Sequence, residues 1–277
     1  MCDRGGMEVA TIHTYPIKGC HRLDHDRAEV QPWGLAGDRR WMVVEPDGRM
    51  LTQRQVPRLT AIQPSYVDGG GLVLRTPGLE ALTVAPPADG ERLAVTVWKS
   101  TVTATLAARA AGDWLSAALD RKVALVWLDD PTRRPVDPAY GRDTDRVSFA
   151  DGYPLLATTT ASLDALNGWL LESGSPEGPL PMTRFRPNVV VAGAHAWAED
   201  GWLGRRLRIG AVTFRAVKMC GRCVVPTTDQ EIGERGHEPL QTLGRYRRFG
   251  QSLVFGMNLI PDGTGPLVAG DPVTVLG

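Results

Sequence analysis

The stretch VTFRAVKMCGRC, residues 212–223, decides the fold class and the candidate site, because it joins a strand to a pair of cysteines. Its first half is rich in apolar, β-branched and aromatic residues, which is typical of a β-strand. Its cysteines, Cys220 and Cys223, are separated by two residues and lie beside the cations Lys218 and Arg222. Such a pair suits half of a zinc site, a redox disulfide, or a site that uses one sulfur only.

The segments on either side of this stretch also predict strands. Short apolar and β-branched runs alternate with turns that contain Gly and Pro, and Pro46-Asp47-Gly48 is a hairpin signal. The predicted strands are 9–16, 40–45, 71–75, 93–98, 188–191, 207–209, 212–217 and 273–276. Helical spacing of apolar residues indicates helices around 107–119 and 160–171. The sequence therefore predicts a mainly β fold with a few helices (α+β), with its strands in sheets or barrels.

Composition and charge restrict the function classes. The chain has 277 residues with 31 basic and 31 acidic side chains, so no overall field attracts nucleic acid or an anionic membrane surface. No segment approaches the roughly 18 apolar residues of a membrane-spanning helix. Residues Met1–Gly6 lack the apolar segment of a signal peptide. We therefore expect a cytoplasmic protein with reduced thiols and with no nucleic-acid or membrane partner.

The two cysteines leave four interpretations open. A structural zinc site needs four ligands, but a second C-x-x-C motif is absent and His237 is the only histidine within 20 residues. A thioredoxin-like pair needs a helix directly after the motif, whereas Val224–Thr228 resembles strand and turn. Simple packing of a small thiol suits Cys220, which follows the apolar strand. The fourth is a single thiolate ligand, because adjacent cations lower a thiol pKa and favour the form that binds a soft metal.

Cations at the ends of other predicted strands point to an anion site. Lys18-Gly19 ends the first strand, Asp38-Arg39 opens the second, and Arg184-Phe185-Arg186-Pro187-Asn188 precedes a valine run. Each segment alone is more often a solvated strand end. Together they offer guanidinium groups suited to phosphate and an amide suited to the edge of a heterocycle.

These segments together resemble a known family. The motifs are Lys18-Gly19-Cys20, Gly37-Asp38-Arg39-Arg40-Trp41, Thr52–Leu59, Phe185-Arg186-Pro187-Asn188, Cys220-Gly221-Arg222-Cys223, Glu238–Arg247 and Ala269–Val273. In this order they resemble the signature of MOSC-domain molybdenum-cofactor proteins with a MOSC N-terminal β-barrel domain. Within that family the chain is similar to the mitochondrial amidoxime-reducing component and to bacterial 6-N-hydroxylaminopurine resistance proteins. The resemblance extends from about Val9 to Leu276.

The resemblance implies a fold and a set of site residues. The expected fold is a MOSC β-barrel, residues 126–277, packed with an N-terminal β-barrel-like domain, residues 7–125. The expected cofactor is Mo-molybdopterin, with Cys223 as the metal ligand. The implied cofactor-binding residues are Lys18, Gly19, Arg39, Asp151, Thr159, Arg186, Asn188, Gly221, Arg222 and Cys223. Cys223 and Asp229 are the implied catalytic residues, with Asp229 as a proton relay. Asp151 and Thr159 match the family pattern less closely than the others.

The resemblance also implies an activity and a partner. The expected enzyme is a molybdenum-dependent oxidoreductase that reduces small N-hydroxylated compounds, such as amidoximes, hydroxylamines and N-hydroxylated bases. The chain contains no cysteine run for a 2Fe–2S cluster. Electrons are therefore expected from a separate protein, such as a ferredoxin, a flavin reductase or a cytochrome b5-like protein. The alternative is a protein that binds or carries the molybdenum cofactor without reductase activity of its own.

Overall fold

The computed structural model describes residues 6–277, which contain twenty β-strands and three α-helices. The strands form four sheets. Residues 1–5, including Cys2, lie outside the described residues. The strands up to residue 127 are β1 Glu8–Thr14, β2 Ile17–Lys18, β3 Leu23–His25, β4 Arg27–Gln31, β5 Gly34–Leu35, β6 Trp41–Val44, β7 Gln63–Val67, β8 Gly71–Thr76, β9 Leu79–Val84, β10 Arg92–Val97, β11 Ser100–Leu106 and β12 Ala124–Trp127.

The remaining elements follow in the second half. The strands are β13 Leu155–Thr159, β14 Val189–Ala192, β15 Arg206–Ile209, β16 Val212–Gly221, β17 Arg248–Phe249, β18 Ser252–Pro261, β19 Gly265–Val268 and β20 Val273–Leu276. The helices are α1 Arg109–Leu119, α2 Thr160–Glu172 and α3 Leu240–Tyr246.

The largest sheet has nine strands and is built around β16. Its order is β20-β15-β16-β18-β13-β14-β1-β3, and β17 pairs with β18 beside this path. All neighbours are antiparallel except β13 and β14, which run parallel. Phe214, Leu259 and Val189 are fully buried along this sheet. Burial of such large apolar side chains is the main favourable contribution to the stability of the sheet.

The end of β16 departs from regular strand geometry. Burial alternates strictly from Val212 to Ala216, and then residues 217–220 are all half-buried. The register against β18 shifts between Ala216 and Lys218 and again between Met219 and Gly221. Such irregularities bend a strand and re-aim its side chains. They therefore turn the last residues of β16 away from the core side of the sheet.

A second sheet has five strands in the order β10-β11-β12-β6-β2. Helix α1 covers part of it and buries Ala111, Leu115 and Leu119, which are four residues apart and so share one helix face. The two-residue turn Trp98-Lys99 joins β10 to β11, and Trp98 has a left-handed backbone with φ of +54°. This backbone matches the twist of a tight hairpin.

Strands β1 and β4 pair with strands of the second half of the chain. In the nine-stranded sheet β1 pairs with β14 and β3 pairs with β1, while β4 pairs with β19 in a three-stranded sheet β19-β4-β5. The other three-stranded sheet is β7-β8-β9. The predicted domain limits, 7–125 and 126–277, stay a prediction.

The prediction of a mainly β fold with a few helices is confirmed. Both predicted helices are present, and Thr159 caps α2 by accepting from the Ser162 backbone N–H at 3.2 Å. The buried strands β13 and β18 were not predicted. No helix within residues 6–277 has both the length and the apolar character that crossing a membrane requires. The cytoplasmic location stays a prediction.

We expect Gly256→Ala to destabilise the protein. Gly256 lies in β18 with φ of +86°, and an added Cβ would lie 2.8 Å from the Ala157 carbonyl oxygen of the neighbouring strand. A left-handed backbone costs a non-glycine residue about 1–2 kcal/mol, before any cost of this overlap. Chemical denaturation should show a lower free energy of unfolding.

Gly168→Ala is the matched control. Gly168 lies inside α2, and an added Cβ meets nothing within 4 Å. Alanine inside a helix is favoured over glycine by roughly 0.5–1 kcal/mol, so this variant should be slightly more stable than wild type. Equal stability of the Gly256→Ala variant and wild type would contradict the close approach of β13 and β18.

Candidate functional site

A cavity of about 1050 Å³ lies where β16 ends in the two cysteines. Its wall combines the end of β2, the turn between β10 and β11, the loops 134–140 and 150–156, and residues 217–225. Phe185, Arg186 and Asn188 complete it. Segments far apart in sequence therefore converge on one space, which is large enough for a cofactor-sized ligand.

Cationic side chains outnumber carboxylates along this wall. Eight Lys and Arg side chains line the cavity against two Asp side chains, in a chain whose formal net charge is zero. The cations are Lys18, Arg39, Arg54, Lys99, Arg134, Arg186, Lys218 and Arg222, and the carboxylates are Asp137 and Asp151. Within residues 6–277, only Lys18 and Arg39 of these eight form a salt bridge. The cavity therefore favours an anionic ligand.

Two of the guanidinium groups share one aromatic ring. The Tyr15 ring is fully buried, and its centre lies 4.3 Å from the Arg39 guanidinium and 4.1 Å from the Arg186 guanidinium. The Tyr15 hydroxyl donates to the Pro187 carbonyl at 2.9 Å. Burial raises the pKa of Tyr15 to about 12. Burial lowers the pKa of Arg186 to about 10, so Arg186 still carries its charge at neutral pH.

Arg39 and Asn188 hold each other in place. Arg39 Nη1 donates to Asp38 Oδ2 at 2.6 Å and to Asn188 Oδ1 at 3.1 Å. The Asn188 amide also accepts from the Leu156 backbone N–H at 3.2 Å and donates to the His13 carbonyl at 3.1 Å. Asn188 lines the cavity, but its amide is engaged with protein groups. It therefore positions Arg39, whereas the sequence had suggested an amide that is free to bind a heterocycle.

Arg186 is positioned by a chain of polar groups. Its guanidinium donates to Gln230 Oε1 at 2.8 Å and to the Cys20 carbonyl at 2.9 Å. Gln230 Oε1 also accepts from Gln53 Nε2 at 3.0 Å, and the same Gln53 nitrogen donates to the Gly19 carbonyl at 2.6 Å. The Gln53 segment thus links the Lys18-Gly19 turn to Arg186.

Lys18 and Asp151 form an ion pair at the cavity wall. Trp98 Nε1 donates to the same Asp151 oxygen at 3.0 Å, and the Arg54 guanidinium lies 4.3 Å from the centre of the Trp98 ring. Desolvation raises the pKa of Asp151, but the Lys18 ammonium and the Trp98 donor outweigh it, so this pKa lies below its usual value. Burial lowers the pKa of Lys18, and the Asp151 carboxylate opposes that shift. Asp151 is therefore ionised at neutral pH.

Arg134 belongs to the cavity although it is not among the predicted site residues. It donates to the carbonyls of Ser148, of Ala150 at 2.5 Å, and of Asp151 at 3.0 Å. Burial lowers its pKa to about 10. Arg134 thus fixes the loop that presents Asp151. No motif marks this role, because it depends on backbone carbonyls that only the fold brings near.

Both cysteines line the cavity and are half-buried. Arg222 Nη1 donates to the Cys220 sulfur at 3.0 Å, and its Nη2 donates to the Phe185 carbonyl at 2.8 Å. The interpretation that Cys220 packs in the core is therefore wrong. Arg222, inside the motif, contacts the sulfur of Cys220. The sequence had suggested such a contact for a single metal-binding thiolate.

Nine of the ten predicted cofactor-binding residues line this cavity, and Thr159 does not. Thr159 is fully buried. Its hydroxyl caps α2 and lies 2.7 Å from Ser162 Oγ and 3.0 Å from Glu199 Oε2. The structure therefore gives Thr159 a structural role at the helix N-terminus and beside a buried carboxylate, and its cofactor contact stays a prediction.

Asp229, the predicted proton relay, also lies outside the cavity lining. Its Oδ2 accepts from Arg184 Nη2 at 3.0 Å. Its Oδ1 accepts from the backbone N–H groups of Glu231 at 2.9 Å and Ile232 at 3.2 Å, which is the geometry of an Asx turn. The structure therefore gives Asp229 a turn-forming role, and its catalytic role stays a prediction.

The described chain does not provide a complete metal site by itself. No group of three or more His, Cys, Asp and Glu side chains suited to a metal ion occurs within residues 6–277. A metal bound at Cys223 would take its other ligands from a cofactor or solvent. This arrangement does not support the four-ligand zinc interpretation.

Two family models match the chain in succession. The model of the MOSC N-terminal beta barrel domain matches residues 6–122, and that of the MOSC domain matches residues 144–274. The chain belongs to the MOSC family. The cavity lies at the junction of the two matched regions, since Lys18, Arg39 and Trp98 come from the first and Arg186 to Cys223 from the second.

This MOSC chain is similar along almost its whole length to mitochondrial amidoxime-reducing components. Component 1 of Mus musculus is 32% identical over 97% of this chain and 82% of that protein. Component 1 of Homo sapiens is 31% identical over 97% of this chain and 83% of that protein. Component 2 of Homo sapiens is 31% identical over 96% of this chain and 82% of that protein.

The cavity lining of the MOSC chain fits a molybdenum cofactor. A half-buried thiol at Cys223 offers the soft ligand that such a metal takes. The surplus of guanidinium and ammonium groups suits the phosphate of a pterin cofactor. Gly152 and Gly221 leave free space in the cavity, because an added Cβ meets nothing within 4 Å at Gly152 and only Ser252, at 3.5 Å, at Gly221.

We expect Thr159→Ala to lower stability without changing cofactor content. Loss of a helix cap costs about 1 kcal/mol, and the Glu199 carboxylate would also lose a donor. Thr159→Ser keeps the hydroxyl and should restore most of the free energy of unfolding. Denaturation curves and pterin content of the purified variants are the measurements. A folded Thr159→Ala variant that has lost its pterin would restore the role in cofactor binding.

Proposed function

We propose that this MOSC protein is a molybdenum-cofactor-dependent reductase of N-hydroxylated compounds. One observation carries the proposal: a chain of zero net charge gathers eight cations and the Cys223 thiol around one cavity. Similarity to amidoxime-reducing components supports the choice of substrate class. Amidoximes, hydroxylamines and N-hydroxylated bases are the proposed substrates.

The proposed reaction is a two-electron reduction. The N–O bond breaks, two electrons and two protons enter, and the products are the N–H compound and water. When bound, the cofactor would supply a molybdenum ion that passes electrons to this bond. Cys223 would hold the metal, and Lys18, Arg39 and Arg186 would hold the anionic part of the cofactor. Their fixed contacts with protein groups pre-organise these cations, so that binding costs little reorganisation.

Proton supply is proposed to come from water. Asp151 lies in the cavity, but its lowered pKa keeps it ionised at neutral pH, which makes it an acceptor and not an acid. Asp229 pairs with Arg184 outside the cavity lining and is not proposed as a relay. The electrons would come from a separate protein, such as a ferredoxin, a flavin reductase or a cytochrome b5-like protein.

The alternative function is binding or carriage of the molybdenum cofactor without reductase activity. The same cavity supports it, because a cofactor carrier also needs cations and a soft ligand. The two functions separate in one experiment on protein purified from a host that makes molybdenum cofactor. We expect bound molybdenum, a fluorescent oxidised pterin after release, and reduction of benzamidoxime with a chemical electron donor. Bound cofactor without turnover would favour the carrier, and absence of both molybdenum and pterin would exclude both functions.

Exchange of the two cysteines for serine should have unequal effects. Cys223→Ser removes the proposed metal ligand and should abolish both molybdenum retention and turnover. Cys220→Ser keeps an acceptor for the Arg222 guanidinium and should retain most of both. Molybdenum content and initial rates are the measurements, with denaturation curves as the folding control. Equal losses in the two variants would revive the interpretations that use both sulfurs.

A further inference from the structure

Three hydrogen-bond donors on one side of the cavity have no protein partner within residues 6–277. They are the Lys218 ammonium and the hydroxyls of Tyr140 and Tyr153, whose side chains all line the cavity. Lys218 Nζ lies 4.0 Å from the centre of the Tyr140 ring and 5.9 Å from that of Tyr153. The two rings meet edge to face with their centres 6.0 Å apart. The three donors therefore form one cluster.

Five of the other seven cavity cations differ from this cluster in being committed to protein acceptors, whereas Arg54 and Lys99 have no such acceptor within residues 6–277. Lys18 is paired with Asp151 and Arg39 with Asp38. Arg186 and Arg134 donate to side-chain or backbone oxygens of the protein. Two other tyrosines are also satisfied by the protein, since Tyr15 donates to the Pro187 carbonyl and Tyr66 to the Thr14 hydroxyl. An ammonium and two hydroxyls without protein acceptors are available to donate to a ligand that enters the cavity.

The charged surroundings leave the cluster free to donate. Asp137 is the acidic side chain near it, and its carboxylate accepts from the Ala139 backbone N–H at 3.0 Å. Lys218 makes no salt bridge with Asp137 and rests on an aromatic face, which supports a cation without neutralising it. Desolvation raises the pKa of Tyr153, with Asp137, Tyr140 and Cys220 adding to the shift. Its hydroxyl therefore remains a donor at neutral pH.

We propose that Lys218, Tyr140 and Tyr153 form a subsite for an anionic group of the substrate, so that the preferred substrates carry a carboxylate or phosphate away from their N–OH group. This inference rests on the proposed function. Lys218 lies on β16, five residues before Cys223, whereas Lys18 lies on β2. The cavity, about 1050 Å³, slightly exceeds the roughly 300–1,000 Å³ of single-ligand sites, which leaves room beside a cofactor.

Matched substrates test the subsite directly. Benzamidoxime derivatives with a 4-carboxylate, a 4-phosphonate or a neutral 4-carboxamide group would be reduced by the cofactor-loaded protein with a chemical electron donor. Charge-assisted hydrogen bonds favour the charged forms, so kcat/KM of wild type should be about tenfold or more higher for at least one anion than for the carboxamide. The ratio of the two anionic derivatives shows which anion the subsite takes.

Variants of the cluster should change only this preference. Lys218→Gln should bring kcat/KM for the anionic substrate down to that of the carboxamide, and Lys218→Arg should retain the preference. Tyr153→Phe should lose part of it. Lys122→Gln, a substitution of an exposed lysine outside the cavity lining, is the matched control and should leave all rates unchanged. Binding of 4-amidinobenzoate, the product of the carboxylate substrate, should weaken in Lys218→Gln in calorimetric titrations.

Four results would overturn the subsite. The first is an equal loss of rate on all three substrates in Lys218→Gln. The second is no loss on any of them. The third is a loss of pterin, which would assign Lys218 to the cofactor phosphate. The fourth is a loss only with an electron-donor protein, which would make the cluster a docking surface for that protein. Failure of the proposed function is distinguishable, because cofactor-loaded wild type would then reduce no amidoxime while the calorimetric titration would still test anion binding.

Discussion

The buried Tyr15 ring is the contact on which the arrangement of the cavity depends. Two guanidinium groups, from Arg39 and Arg186, lie against this ring at 4.3 and 4.1 Å although like charges repel. The ring faces attract both cations, and Asp38 and backbone carbonyls accept their hydrogen bonds. Arg39 and Arg186 also have left-handed backbones, with φ of +48° and +55°. Such strain persists only where the surrounding contacts over-determine it, and here it keeps positive charge at the cavity wall.

Six of the eight cavity cations fall into two kinds according to how the protein holds them. Lys18, Arg39, Arg134 and Arg186 are bound to protein acceptors, so they build the wall and set its potential. Lys218 and Arg54 instead rest on aromatic faces without a salt bridge within the described chain. A cation held by a ring keeps most of its attraction for an anion, because no carboxylate cancels its charge. The cations bound to protein acceptors are suited to a permanently bound cofactor. The cations on aromatic faces are suited to a ligand that binds reversibly, such as a substrate.

Local patterns in the sequence were enough to predict the fold class but only part of the site. Strands with alternating burial, such as Val212–Ala216, and the capped helix α2 are visible in sequence because their side chains follow the period of the element. Strand β18 lacks that alternation, since residues Val254–Met257 are all buried, and glycine interrupts it. Arg134 gave no signal at all, because its partners are backbone carbonyls brought near only by folding. Motif positions placed Thr159 and Asp229 in the site, but motifs do not specify which way a side chain points.

The two cysteines show how one motif can serve two tasks. The Arg222 guanidinium donates hydrogen bonds to the Cys220 sulfur and to the Phe185 carbonyl. Cys220 is therefore an acceptor that orients Arg222. The register of β16 against β18 shifts between Met219 and Gly221, and Gly221 then pairs with Val254 as the last residue of the strand. Because these two hydrogen bonds hold the Arg222 guanidinium, it does not occupy the position from which a ligand would contact the Cys223 thiol. Under the proposed function, the C-x-x-C spacing is the separation between a sulfur that orients Arg222 and a sulfur that binds the metal, and neither a shared metal nor a disulfide is needed to explain it.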